Sequence, residues 1–443
     1  MQGFIESHVT RCLDRADARP QERDLAFTYL DGEAAIRAAR AMDGRREDRA
    51  DGAILPLAGR VCSVKACFDV RGWVTHAGSR ALAGRSPAMQ DAAMVAALRQ
   101  AGAVLLGQTN MTEFAFGALG LNTFYGTPLT PLVTGEDRVS GGSSSGAAVS
   151  VALGFADFAL CTDTSGSARI PAGFCGVAGY IPSQGAWPCS GMLNLAPSFD
   201  TPGIMAASAR QCLDIVEAVG LDHLDCQTCL HGQPASAAAP FRVLVPDEIM
   251  APQPEADVLA VFHEAVRHLR LSGIEIIHGA CAPVRELGEL AGKGDMFAAE
   301  AFTVHQHYLR RFGDRYDPLI RARIESGRSV PAHEYLHTRW LLDRLARDFD
   351  RALTGFDALL TPTSPILPPR LVDLHDETTY LAQNRKSFAY TEIASRFGLP
   401  SLSLPGWTSG EPVGILFTGR RGRGRALLQM ASTLESLLQG ECE

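Results

Sequence analysis

The chain has 443 residues, 46% of them hydrophobic and 20% charged, which is enough for a large buried core in one α/β domain or in two. A formal net charge of −8 and an isoelectric point near 5.9 argue against a nucleic-acid partner. Since no apolar run approaches the roughly 20 residues that a membrane-spanning helix needs, we expect no membrane association.

The cysteine pattern indicates a reducing compartment. Eleven cysteines are spread along the chain, an odd number, and many lie in apolar segments. This distribution predicts free, buried thiols and not a disulfide framework. Cys226 and Cys229 form one CxxC pair, which is weak evidence for zinc without a second pair. The N-terminal residues lack a secretory signal pattern, so we expect a cytoplasmic protein without a metal.

The alternation of helix and strand patterns predicts an α/β fold. Residues 1–50 are predicted to form an N-terminal helical layer, with an amphipathic helix over 33–41, and residues 51–443 one large catalytic domain. The Ala-, Ser- and Pro-rich segment 232–240 is a candidate subdomain linker. Strands are predicted around residue 65 and at 103–107, 155–162, 177–183, 241–246, 274–277, 398–405 and 412–417, and a strand and turn are predicted at 357–363. Helices are predicted at 91–101, 147–153, 258–272, 384–397 and 425–438, with more within 290–355, whereas 197–203 is predicted as a loop.

Lys65 is the unusual residue of the first predicted strand, because its neighbours are apolar and a buried charge is costly. Burial lowers the pKa of a lysine, and a neutral lysine can accept a proton. The sequence therefore offers a candidate base at this position.

Two Ser/Gly clusters flank the helix and strand predicted at 147–162. The first is Gly-Gly-Ser-Ser-Ser-Gly at 141–146 and the second Thr-Ser-Gly-Ser at 164–167. Glycines allow sharp turns and close approach of the backbone, so the pattern predicts two hydroxyl-bearing turns that lie side by side. Pro171 and Gly173 predict irregular backbone after the second turn. A serine at either turn needs a base to become a nucleophile.

Three motifs together resemble the amidase signature family of Ser–Ser–Lys hydrolases. They are the Lys65 strand, the Gly-Gly-Ser-Ser turn at 141–144 and the Gly-Ser-Ala-Arg-Ile-Pro segment at 166–171, with the two serine turns at the family's usual spacing. The likeness extends from about residue 25 to residue 435. It implies an amidase signature fold, a large central mixed β-sheet sandwiched by α-helices, and hydrolysis of an amide C–N bond without a cofactor.

The resemblance also implies roles for individual residues. Ser167 would be the nucleophile, and Ser143, on a cis peptide, would relay its proton to Lys65. Backbone N–H groups of the second turn would face the developing oxyanion. The oxyanion and support residues implied in this way are Ser144, Thr164, Ser165 and Gly166. Because Ser165 stands where the family usually has glycine or alanine, its hydroxyl is expected to narrow the pocket or to contact the substrate.

The substrate pocket is less clearly marked. The segment 110–114 resembles an Asn-Met-x-Glu-Phe segment that helps to line the pocket in the family, and both a pocket role and ordinary packing are open for Glu113. The polar helical region 290–325 varies in the family and shapes substrate choice. An arginine there could hold a substrate carboxylate by a bidentate contact, and a solvated helix face is the alternative for each. The substrate-binding candidates are Met111, Gly117, Arg169, Tyr308 and Arg311, and the other notable polar groups of 290–325 are Glu300, His305, Arg310, Tyr316 and Arg323.

Three other interpretations of the motifs are available. Residues 142–146 also fit G-x-S-x-G, but the polar segment before them is unsuited to the strand that an α/β-hydrolase elbow requires. The glycine-rich turn lacks the Gly-Lys-Ser/Thr end of a phosphate-binding loop. The glutaminase subunit of a tRNA-dependent amidotransferase would share the three catalytic residues and would deliver ammonia to a partner. We favour a stand-alone amidase for a small, polar or carboxylated amide; a homodimer is common in the family.

Overall fold

The computed structural model describes residues 3–48, 55–220, 241–250, 253–290, 295–406 and 411–440. The candidate linker at 232–240 and the CxxC pair lie outside these residues. None of the described helices combines the length and the apolar character that crossing a membrane requires.

The centre of the fold is one mixed sheet, whose strands follow the order β1-β3-β2-β4-β6-β5-β10-β11-β9-β7-β8. The strands are β1 (Phe27–Leu30), β2 (Val61–Lys65), β3 (Val104–Thr109), β4 (Phe158–Asp163), β5 (Ala178–Ile181), β6 (Thr201–Ala206), β7 (Arg242–Pro246), β8 (Glu275–Gly279), β9 (Ala358–Pro362), β10 (Ser401–Pro405) and β11 (Gly414–Thr418). Parallel pairing joins β2 to both β3 and β4, and antiparallel pairing joins β4 to β6. The predicted mixed α/β sheet is confirmed.

Helices cover the sheet. They are α1 (Phe4–Asp17), α2 (Pro20–Ala26), α3 (Gly32–Asp48), α4 (Ala93–Gln100), α5 (Ser145–Ala152), α6 (Arg169–Cys175), α7 (Ala209–Val219), α8 (Ala256–Leu271), α9 (Ala282–Glu289), α10 (Met296–Phe312), α11 (Pro318–Ser326), α12 (Ala332–Ala352), α13 (Glu377–Ser387), α14 (Thr391–Phe397) and α15 (Gly424–Gly440). Most of the predicted helices and strands are present within a few residues of their expected bounds.

Four local predictions are wrong. The N-terminal layer is not only helical, because β1 lies within it and pairs antiparallel with β3. The segment predicted as a loop at 197–203 runs into β6, and the single helix predicted at 384–397 is the two helices α13 and α14. Pro171 and Gly173 lie inside α6 and do not make the backbone irregular. Pro171 is tolerated because it is the third residue of that helix, where a backbone N–H has no intrahelical acceptor.

Alternation along β2 decides which way Lys65 points. Val61 packs in the apolar cluster that includes α1 and α5, whereas Cys62 and Val64 pack in the cluster on the other face. Ser63 lies on the α5 side, since its hydroxyl is 2.8 Å from that of Ser150 in α5. Side chains two residues apart share a face of a strand, so the Lys65 side chain is directed to the α5 side, where the first Ser/Gly turn lies.

Helix α5 fits against its neighbours only because its first turn contains a glycine. A Cβ at Gly146 would lie 2.1 Å from the carbonyl oxygen of Ala26 and 2.7 Å from the backbone nitrogen of Asn110. Backbone atoms on both sides cannot yield as a flexible side chain would. Residue 146 therefore sets how closely α5, and the serine turn before it, approach the rest of the core.

We predict that Gly146→Ala lowers the free energy of unfolding by about 1–3 kcal/mol, the usual cost of forcing extra atoms into a packed core. Gly44→Ala is the matched control, because Gly44 is an exposed residue of α3 with no atom within 4 Å of its added Cβ. Alanine's higher helix propensity should make that variant stabler by up to ~1 kcal/mol. Urea unfolding followed by circular dichroism measures both changes. Equal stability of Gly146→Ala and wild type would contradict the packing argument.

Candidate active site

Lys65 lies in a fully buried polar pocket, and no carboxylate of the described residues is within ion-pair distance of its Nζ. Its Nζ is 2.8 Å from Ser143 Oγ and 2.7 Å from Thr162 Oγ1, with the Thr162 carbonyl oxygen at 3.5 Å. The residue is 0% exposed. Burial lowers the pKa of Lys65 below its ordinary value, more strongly than the nearby acidic groups raise it. A lysine in this position is suited to accept a proton from a serine hydroxyl.

The two Ser/Gly turns meet beside this lysine. The Gly142–Ser143 peptide bond is cis. The backbone N–H of Ser144 donates to the carbonyl oxygen of Ser167 at 3.2 Å, and the Ser144 hydroxyl donates to the carbonyl of Thr162 at 3.2 Å. Ser143, Ser144 and Ser167 are all buried. The structure thus brings the predicted base and the two predicted serine turns together.

The second turn presents unpaired backbone donors. In the described part of the chain, the backbone N–H groups of Ser165, Gly166 and Ser167 donate to no protein acceptor. Gly166 has a φ of 148°, and a Cβ there would lie 2.3 Å from Thr391 Oγ1. The Thr391 hydroxyl donates to the Ser165 carbonyl at 2.6 Å, which fixes the turn from outside. Buried N–H groups without a partner are rare, and here they suit the stabilisation of an oxyanion.

Asp200 holds the first residue of the same turn. The Thr164 hydroxyl donates to Asp200 Oδ1 at 2.6 Å, while the other carboxylate oxygen accepts from the backbone N–H groups of Leu195 and Ala196 at 2.8 and 3.1 Å. Burial raises the pKa of Asp200, and these hydrogen bonds oppose that rise. Because Leu195 also lines the cavity described below, Asp200 connects the turn to the cavity wall.

Arg169 has structural partners for its whole guanidinium group. It is 0% exposed, and its Nη2 and Nε lie 2.8 and 3.0 Å from the two oxygens of Asp163. Nη1 donates to the Thr391 carbonyl at 2.9 Å, and Nη2 also lies 2.8 Å from Ser395 Oγ. Although burial alone would raise the pKa of Asp163, the charge and hydrogen bonds of Arg169 lower it below its usual value. These contacts favour a structural role for Arg169 over substrate binding.

A cavity of about 1110 Å³ opens next to the second turn, with Ser165 in its wall. Phe116 and Gly117 form another part of the wall, and α13 contributes Asn384. Gly117 is therefore placed as the sequence predicts for a pocket residue. A larger residue at that position would meet the Tyr380 hydroxyl at 2.8 Å. Ser165 is half-buried and belongs to the wall of this cavity.

Arg323 is a cavity residue that the sequence did not separate from the other polar groups of its region. Its guanidinium lies over the Phe116 ring, 4.1 Å from the centroid, and donates to the Phe116 carbonyl. It also bonds the Tyr380 hydroxyl. Among the described residues no carboxylate lies within ion-pair distance of it, and burial lowers its pKa. In the sequence, Arg323 follows Ile320 by three residues and adjoins Ile324, the two buried residues of α11. This helical spacing could have indicated that Arg323 lies on the buried face of the helix.

The remaining pocket candidates lie away from the cavity wall. Met111 is buried in the core, and its carbonyl accepts from Asn122 at 2.8 Å. Arg311 is exposed over the ring of Phe312, and Tyr308 is half-buried beside His307. These positions give no contact with the cavity in the described structure.

Glu113 acts as a link between two segments. Its carboxylate accepts from the Ser79 hydroxyl at 2.6 Å and from the backbone N–H of Asp317 at 2.8 Å. Asp317 caps α11, the helix that carries Arg323. Burial raises the pKa of Glu113 to about 7. The contacts support a packing role that positions one wall of the cavity.

One group of potential metal ligands exists among the described residues, and it lies at the other end of β4. His8, Cys12 and Asp157 bring their ligand atoms within 4.8 Å of one another. His8 Nε2 is 2.8 Å from Asp157, whose carboxylate also accepts from the Val61 N–H at 2.7 Å. Arg11 Nη2 lies 3.3 Å from His8 Nδ1, and burial raises the pKa of Cys12 to about 11. The group is better suited to fasten α1 to the sheet than to bind a metal.

Comparisons with known proteins agree with this geometry. The family model named Amidase matches residues 7–428. The chain is 34% identical over 430 residues to 2-amino-5-chloromuconic acid deaminase of Comamonas testosteroni, covering 95% of this chain and 90% of that protein. It is 32% identical over 455 residues to a glutamyl-tRNA(Gln) amidotransferase subunit from Cupriavidus metallidurans, covering 93% and 89%. A crystal structure of an amidase superposes with a TM-score of 0.82 and 29% identity, covering 98% of this chain and 96% of the other.

Fold and relatives together define a hydrolase that acts on carbon–nitrogen bonds other than peptide bonds. The chain belongs to the amidase family, as the resemblance of its three motifs to the amidase signature family predicted.

We predict that Arg169→Met lowers the free energy of unfolding by about 3–5 kcal/mol, because it leaves the Asp163 carboxylate buried without its partner. The double variant Asp163→Asn/Arg169→Met should recover part of that loss, since neither charge then remains. Thermal and urea unfolding measure both. A variant Arg169→Met of wild-type stability whose KM alone is raised would instead indicate a substrate-binding role.

Proposed function

We propose that the chain is a stand-alone amidase that hydrolyses a small carboxylated amide to an acid and ammonia through an acyl-enzyme on Ser167. The observation that carries the proposal is the 2.8 Å contact between Lys65 Nζ and Ser143 Oγ in a buried pocket where no described carboxylate forms an ion pair with the lysine. In such a pocket the neutral lysine is favoured, and a neutral lysine can act as a base.

The proposed acylation step moves two protons, and its net effect is to transfer one proton from Ser167 to Lys65. Lys65 takes the Ser143 proton while Ser143 takes the proton of Ser167, and the Ser167 oxygen attacks the carbonyl carbon. The oxyanion is received by the unpaired N–H groups of Ser165, Gly166 and Ser167. The proton then returns through Ser143 to the leaving nitrogen, because expulsion of an amide anion would be prohibitively slow. Water attacks the acyl-enzyme with help from the same relay and frees the acid.

The anchor for a substrate carboxylate in this proposal is Arg323. It keeps its charge at any ordinary pH, and its described contacts use a carbonyl, a ring and a phenol hydroxyl, none of which neutralises it. A carboxylate entering the cavity would complete an ion pair that the protein leaves open. The name of the muconic acid deaminase relative denotes a carboxylic acid that loses nitrogen, which supports this choice of substrate class.

The cysteines support the cytoplasmic setting that we propose for this reaction. The eight cysteines in the described residues are free thiols, and seven of them are buried. Burial raises the pKa of several, for example to about 11 for Cys67, so they behave as packed apolar groups. A secreted protein of this cysteine content would more commonly use disulfides.

The test of the proposed function is ammonia release by the purified chain alone from malonamate, succinamate, glutamine and benzamide. We expect turnover of the carboxylated amides, and a fall of at least ~10³-fold in kcat for Ser167→Ala, since activated nucleophiles and their relays contribute on this scale. With hydroxylamine present, the wild type should form a hydroxamate from the acyl-enzyme.

Two results would overturn parts of this proposal. Ammonia release that survives in Ser167→Ala would remove Ser167 as the nucleophile. Release from glutamine that appears only when a partner protein is added would favour the other function, that of an amidotransferase glutaminase subunit.

Thr162 is predicted to position Lys65, because its hydroxyl lies 2.7 Å from Nζ. Thr162→Val should reduce kcat by about 10–100-fold, within the range of general base effects. Activity needs the neutral amine, so it is lost as pH falls through the pKa of Lys65. In Thr162→Val the ammonium form of Lys65 loses one hydrogen-bond acceptor, so the pKa of Lys65 should fall further. The acid limb of the kcat/KM profile should therefore move to lower pH. Thr162→Ser, which keeps the hydroxyl, should restore both values; an unchanged profile in Thr162→Val would exclude the role.

A further inference from the structure

The cavity holds more positive charge than a single substrate carboxylate needs. Its wall contains five cationic side chains and four acidic ones. The cations are Arg285, Arg323, Arg385, Lys386 and Arg396, and the acids are Glu248, Glu289, Asp295 and Glu392. Within the described residues only Arg396 has a carboxylate within 4 Å, that of Glu392 at 2.8 Å. Four cations of the wall therefore have no close ion-pair partner there.

Two of the acids already hold backbone donors. Glu248 accepts from the N–H of Cys281 at 2.9 and 3.1 Å, and Asp295 caps α10 by accepting from Ala298 at 3.1 Å. Asp295 also interacts electrostatically with Arg323, without forming a close pair. Glu289 is exposed. The acidic side chains therefore leave the cations of the wall available to an anionic ligand.

Lys386 is the cation best placed to act together with Arg323. Lys386 is half-buried in the cavity wall and belongs to α13, which also carries Tyr380, the hydroxyl partner of Arg323. Asn384 fixes this part of α13, because its side-chain oxygen accepts from the N–H of Ala118 at 2.7 Å. The two cations thus line the same cavity from two helices, Lys386 from α13 and Arg323 from α11.

We propose that Lys386 forms a second anion-binding site in the cavity, so that the preferred substrate is a dicarboxylate whose two ends are held by Arg323 and Lys386. A cavity of about 1110 Å³ has room for a molecule that reaches both cations. The inference deepens the proposed function, since it names the class of acid that carries the scissile nitrogen.

The test compares two ligands that share a trans,trans six-carbon diene skeleton and differ in charge, trans,trans-muconate with two carboxylates and sorbate with one. Calorimetric titration of the purified wild type at fixed ionic strength should give about tenfold tighter binding of muconate, as expected for one added charge-assisted contact. Lys386→Met should abolish this preference and leave the affinity for sorbate within about twofold of wild type. Lys386→Arg should retain the preference, and Arg323→Met should weaken the binding of both ligands.

Arg347→Met is the control for a general loss of positive charge, because Arg347 is exposed on α12 and does not line the cavity. It should bind both ligands as the wild type does. Equal affinities of the wild type for muconate and sorbate, or a preference that persists in both Lys386→Met and Lys386→Gln, would overturn the second anion site.

Ammonia release from the amide panel separates this inference from the proposed function. A chain that prefers muconate in a Lys386-dependent manner but hydrolyses no amide would retain the anion site and lose the amidase proposal. A chain that hydrolyses monocarboxylic amides through Ser167 without any preference for muconate would retain the amidase proposal and lose the second anion site.

Discussion

The site depends on keeping a carboxylate away from a buried lysine. Thr162 and Asp163 are consecutive residues at the end of β4, and each contacts a different cation. The threonine hydroxyl lies 2.7 Å from Lys65 Nζ, whereas the two carboxylate oxygens of Asp163 are held by Arg169. If the carboxylate lay beside Lys65 instead, it would stabilise the ammonium and raise the lysine pKa. The end of β4 thus supplies a neutral hydroxyl to Lys65 and a carboxylate to Arg169.

The close approach of the two serine turns depends on small residues in the elements that carry them. Helix α5 is buried on nearly every side and is built from serine, glycine, alanine and valine. Because residue 146 is a glycine, α5 can pack closely against backbone atoms of Ala26 and Asn110. Because residue 166 is a glycine, the second serine turn can pack against the Thr391 side chain. Larger residues at these points would move the helix or the turn by more than a hydrogen bond tolerates. The distance between Lys65 and Ser143 therefore depends on packing at glycines that have no reactive side chain.

Features that depend on neighbouring residues in the chain could be predicted from the sequence. A lysine in an apolar strand and two serine–glycine turns around a small-residue helix were visible in the sequence, and so was the alternating α/β pattern. Arg323 was only one of several arginines in a helical region, because the ring and hydroxyl that hold it come from the distant residues Phe116 and Tyr380. Strand β6 was missed since Pro202 and Gly203 weaken its pattern, while pairing with both β4 and β5 stabilises it. Long-range packing decided each of these cases.

The same lack of acidic partners has opposite consequences for Lys65 and Arg323. Each is held by neutral groups, a hydroxyl and a carbonyl for the lysine and a carbonyl, a phenol and a ring for the arginine. Burial lowers the pKa of both. The lysine begins from a lower ordinary pKa and is an ammonium that can give up its proton, whereas a guanidinium keeps its proton in proteins. An environment of one kind therefore favours a neutral amine at the serine turns and a permanent cation in the cavity, and the proposed hydrolysis of an anionic amide would use both.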